Sequence, residues 1–180
     1  MLYQSHELAV RGNRLLKFYA IYSLIVSIIV VTISFVDTDG RILGNHMPSL
    51  RLFVTISYLV VAAMFATISQ FNPNVQHATA YFFVETAILA TFMMGAGGLA
   101  SGFSSLILFS VVIANLLAPG VLGYGVAAWV SLAVLVTVHY LPDRYDGTTM
   151  FASGFYGGLC FLLAALTQAL SNRLNSALEL

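Results

Sequence analysis

Six apolar runs, separated at every junction by proline or glycine, constrain this chain more than anything else in its sequence. They cover residues 18–35, 52–68, 78–94, 103–118, 121–141 and 150–170. A bilayer-spanning helix needs about 20 mainly apolar residues, and with small extensions each run meets that length. The four prolines, Pro48, Pro73, Pro119 and Pro142, all fall between runs, and the remaining junction holds Gly95, Gly97, Gly98 and Gly102. Proline removes a helix donor and glycine loosens the backbone, so five breaks and six helices support each other. Composition closes the other options. Charged residues make up 8% of the chain against about 25% in soluble domains, so a water-facing surface cannot be covered. Aromatic residues at 13% exclude a disordered chain. The expected fold is an all-α polytopic membrane protein with six transmembrane helices.

Charge sets the expected orientation and excludes several functions. Seven basic residues balance seven acidic ones, which leaves no basic surface for nucleic acid. Arg11, Arg14 and Lys17 precede the first run and Arg173 follows the last, against Arg41, Arg51 and Arg144 on the opposite side. Basic flanks favour the cytoplasm, so both termini are expected there. Asp37, Asp39, Asp143 and Asp146 then lie in the outer connections. Cys160 is the single cysteine and no paired Cys/His spacing is present, so neither a metal site nor a cofactor is expected. Three segments follow: residues 1–17, an amphipathic cytoplasmic or interfacial helix; 18–170, the six-helix membrane domain; and 171–180, the start of a cytoplasmic helix. Leu163, Leu166, Leu170, Leu174 and Ala177 recur at spacings of three and four through that last boundary. With no glycine or proline stop before Leu180, the sixth helix is expected to continue into a cytoplasmic signalling helix truncated here, with Leu170 and Leu174 on its relay seam.

Inside the spans, Glu85 is the only charged residue of the six runs. A carboxylate in hydrocarbon costs a few kcal/mol, so it should face the protein interior and either be protonated or accept hydrogen bonds, as a functional group or as a link between helices. Asn115 is the next polar residue at depth, and a pairing with Glu85 is expected because successive antiparallel helices are normally neighbours. Gln168 reads as an interhelical donor, and Ser110 and His139 as weaker candidates. Gly154 and Gly158, continued by Ala165 and Ala169, form a small-residue face suited to close helix contact, either within the chain or across a dimer. A rhomboid-type protease would need Gly-x-Ser-Gly and a histidine at depth; Leu99 and the position of His139 do not fit.

The stretch from Glu85 to Asn115, with Ala96-Gly97-Gly98, Ser101-Gly102 and Ile113-Ala114-Asn115, resembles the membrane input domain of the PilS family of sensor histidine kinases. Gly158-Leu159-Cys160-Phe161 with Gln168, Leu170 and Arg173 is similar in kind. The resemblance implies a homodimeric bacterial inner-membrane protein whose six spans precede a cytoplasmic PAS domain and a kinase core. It implies a response regulator as partner and control of type IV pilin expression, with the input domain contacting pilin transmembrane helices. It also implies sensing roles for Glu85, where the family usually carries Asp, for Asn115, and for Gly97, Gly98, Ser101 and Gly102. This stretch carries no kinase motif, so the fragment itself is expected to catalyse nothing. The competing reading is a small six-span substrate-binding subunit of a membrane transporter, with Trp129 and the nine tyrosines around a pocket.

Overall fold

The computed structural model describes residues 2–37, 47–71, 75–96, 99, 103–118, 120–139 and 147–178. Six helices occupy them: α1 (Leu2–Val36), α2 (Pro48–Phe71), α3 (Val75–Ala96), α4 (Ser104–Leu117), α5 (Val121–His139) and α6 (Gly147–Leu178). Each coincides with one apolar run. Five are long and apolar enough to cross a bilayer, whereas α4 is apolar but only 14 residues long. At 1.5 Å per residue α4 measures about 21 Å and α6 about 48 Å. The first helix is continuous through the boundary at residue 17, and its apolar stretch already begins at Gly12.

The helices alternate in direction. The end of α1 meets the start of α2 where Arg51 Nη1 stands 3.8 Å from Asp37 Oδ2 and Nη2 donates to the Asp37 carbonyl at 3.0 Å. Both were expected in the outer connection between the first two spans. Instead α2 begins at Pro48, which draws Arg51 into its first turn and buries it, and a buried cation is tolerated only with such partners. The end of α3 closes on the same point: the Met47 amide donates to the Gly95 carbonyl at 3.3 Å, and a Cβ at Gly95 would stand 3.3 Å from the Arg51 nitrogen.

Packing divides the bundle around α3 and α4. The α1–α2 hairpin packs on one side, with α2 against α3 and α1 against α4; α5 and α6 pack on the other, each against α4 and with α5 also against α3. The main core joins Phe82, Leu89 and Met93 of α3, Ile107 and Val111 of α4, Val126, Val130 and Val134 of α5, and Cys160 and Ala164 of α6. Most large side chains left outside this core are apolar, including Phe18, Ile25, Phe53, Leu132, Phe155 and Leu166, as a lipid-facing surface requires.

Candidate functional site

Glu85 lies midway along α3 and is 1% exposed. Its partners are five hydroxyls. Oε2 accepts from Tyr19 at 2.5 Å and from Ser110 at 3.4 Å; Oε1 accepts from Ser23 at 3.0 Å, Tyr58 at 3.1 Å and Tyr81 at 3.2 Å. The hydroxyls also bond one another, Tyr19 with Ser110 at 3.1 Å and Ser23 with Tyr81. They come from α1, α2, α3 and α4, so a single carboxylate gathers four helices. The carboxyl oxygens accept and the hydroxyl rotors donate; each hydroxyl has one proton to give, so the contacts to Glu85 and those among the hydroxyls share protons. Aromatic packing fixes the donors: Tyr19 lies against Phe82 with ring centres 5.1 Å apart, and Tyr81 stacks on Phe65 at 3.7 Å.

Helical spacing explains how the chain places these groups. Tyr19 and Ser23 are four residues apart on α1, as are Tyr81 and Glu85 on α3, so each pair shares one face. That signal was present in the sequence. Tyr19, Tyr58 and Tyr81 were nevertheless missed because tyrosine counts as apolar and aromatic when spans are being located, and Ser23 because a lone hydroxyl barely interrupts an apolar run.

The expected pairing of Glu85 with Asn115 is not made. Glu85 meets Ser110, and Asn115 follows five residues later, about 7.5 Å along the axis and turned by about 140°. Asn115 therefore faces α5 and α6. Its Nδ2 donates to the carbonyls of Val111 at 2.8 Å and Gly123 at 3.3 Å, while Oδ1 accepts from Gln168 Nε2 at 2.8 Å. Gln168 also donates to the Gly120 carbonyl at 3.1 Å, which bears out its reading as an interhelical donor. Gly120 turns the chain at φ 89°, a conformation that favours glycine, and Gly123 lets α5 start against the Asn115 amide, whose Cγ would be 2.8 Å from an added Cβ.

The other candidates are placed as follows. Gly154, Gly158, Ala165 and Ala169 are exposed, and a Cβ at either glycine would meet nothing within 4 Å, so among the described residues this face packs against no other helix. The glycine that packs within the chain is Gly157, where a Cβ would stand 3.2 Å from the Ser131 side chain. Leu170 is exposed on α6, and Leu174 follows on the same helix. Gly97, Gly98, Ser101 and Gly102 lie outside the described residues. Trp129 is engaged between helices, its indole donating to the Phe83 carbonyl at 3.1 Å. Between α2 and α3 a groove of about 310 Å³ is lined by Val61, Met64, Phe65, Ala80, Tyr81 and Val84, so one ring of the Glu85 cluster forms part of its wall.

An all-helical, multi-pass membrane domain organised around the buried Glu85 carboxyl group is the class this geometry defines. Within it, the chain belongs to the family of PilS-like transmembrane domains, whose model matches residues 5–180, and it is a multi-pass protein of the inner membrane. It is 29% identical over 168 residues to the Sensor protein kinase PilS of Pseudomonas aeruginosa, an alignment covering 91% of this chain and 31% of that protein. The chain thus spans about a third of the length of that curated relative. No solved structure matches it.

Proposed function

We propose that the chain is the signal-sensing domain of a two-component sensor histidine kinase, with both ends cytoplasmic, and that it detects pilin transmembrane helices in the inner membrane. The observation that carries this reading is the Glu85 cluster. A carboxylate held by hydroxyls from four helices ties their relative positions to one set of bonds, and a ligand that favours another helix arrangement must rearrange that set. The α2–α3 groove gives an apolar pilin helix a surface that includes Tyr81. The signal leaves through α6 toward a PAS and kinase region and from there to a response regulator. Two copies meet along the outward face of Gly154, Gly158, Ala165 and Ala169, continued by Leu166 and Leu170, since small residues at this spacing let helices approach closely.

The test uses the full-length protein in membrane vesicles with and without pilin. Phosphotransfer to the response regulator should depend on pilin, and that dependence should be lost when Glu85 and Asn115 are both replaced by leucine. Pilin dependence that survives the double replacement would remove the sensing role from both residues.

A further inference from the structure

We infer that α4 and α6 move as one unit, clamped at two points in matching register, and that this unit carries a change at the Glu85 cluster to the far end of α6. The inference rests on the sensing role proposed above and adds the route. At the start of α4 the Ser104 carbonyl accepts from the Tyr156 hydroxyl of α6; at its end Asn115 accepts from Gln168 at 2.8 Å. The clamps lie 11 residues apart on α4 and 12 apart on α6, and the two helices run in the same direction. An axial displacement of α4 therefore pulls both clamps the same way, and α6 follows without either bond breaking.

The cluster side of α4 is equally defined. Ser110 bonds Glu85 and Tyr19, and it projects about 140° away from Asn115, so the shortest helix holds the carboxylate on one flank and α6 on the other. Movement of Asn115 toward α5 is blocked, because Gly123 already stands against its amide. Asn115 is fully buried, and its Nδ2 and Oδ1 both have partners, so slipping the clamp would strand polar groups in a medium without water. Beyond Gln168, α6 continues as unbroken helix to Leu178.

The experiment places a trifluoromethyl probe on Arg173→Cys, an exposed position past the Gln168 clamp, in a Cys160→Ala background. Fluorine NMR spectra of the whole chain in lipid nanodiscs then read the end of α6. Glu85→Gln replaces one accepting oxygen by an NH2 donor, so the hydroxyls that bond that oxygen must reorient, and it should displace the probe resonance. Introduced on top of Gln168→Leu and Tyr156→Phe together, which remove both clamps, it should leave the resonance where that pair alone puts it. A displacement of equal size in both backgrounds overturns the α4–α6 route while leaving the sensing role intact. No displacement in either background overturns both. If that double variant does not accumulate, Ser110→Ala cuts the route at its other end and is read the same way.

Discussion

At the scale of single residues, the carboxylate of Glu85 and its hydroxyls illustrate what a membrane interior demands. Each buried hydroxyl needs a partner, and a donor left without one costs about 1–3 kcal/mol. If Glu85 is replaced by leucine, Tyr19 and Ser110 can pair, as can Ser23 and Tyr81, but Tyr58 keeps only Ser23, at 3.5 Å and already engaged. Glu85→Leu should therefore lower thermal stability in detergent, and adding Tyr58→Phe should return part of the loss. Were Tyr58→Phe to destabilise the leucine variant as much as the parent, the carboxylate would not be the acceptor for Tyr58. The burial of Glu85 was legible in the sequence because a charge within an apolar run must turn inward. Its partners were not, because they depend on how α1, α2 and α4 are rotated about their axes, which the span pattern leaves open. Asn115 shows the same limit: it was correctly marked as a polar residue requiring a partner, but helix rotation gave it Gln168.

Among whole helices, the apolar runs and their breakers placed all six elements, because span length and proline position act locally along the chain. The ends were less legible. α1 and α6 extend well past their runs, since a helix does not stop where hydrocarbon does, and α2 starts early enough to bury Arg51. The glycines on α6 were also ambiguous: neighbouring positions point about 100° apart, and spacing alone does not say which faces a partner. The structure separates them. Gly157→Val should loosen the α5–α6 contact at Ser131 and lower the melting temperature, whereas Gly158→Val should leave it unchanged. If two copies associate along the outward face, Gly158→Val should instead weaken the dimer, read as a shift toward monomer in analytical ultracentrifugation. Gly123→Ala drives a methyl group into the Asn115 amide and should destabilise the chain by about 1–3 kcal/mol, the cost of overpacking, in chemical denaturation.

At the scale of the whole molecule, α4 joins two groups of polar contacts: the Glu85 cluster toward α1 and α2, and the Asn115–Gln168 clamp toward α6. Allosteric couplings are commonly about 1–3 kcal/mol, or 5- to 150-fold. If the chain is the sensing part of a kinase as proposed above, Glu85→Gln in the whole protein should change basal phosphotransfer within that range, while Ser57→Ala, at a half-buried position whose hydroxyl donates to the Phe53 carbonyl of its own helix, should leave it unaltered, both read by radiolabelled phosphate on the response regulator. The cluster also bears on how such a chain is made. Synthesis runs from the N-terminus, and Tyr19, Ser23 and Tyr58 all precede Glu85, with Tyr81 one turn ahead on the same helix. By the time the acidic residue emerges from the ribosome, four of its five hydroxyl donors have already been made, and three of them lie on the two helices inserted before it. The most costly side chain of the domain thus has its receptors ready in the bilayer, and only Ser110 arrives later to close them over it.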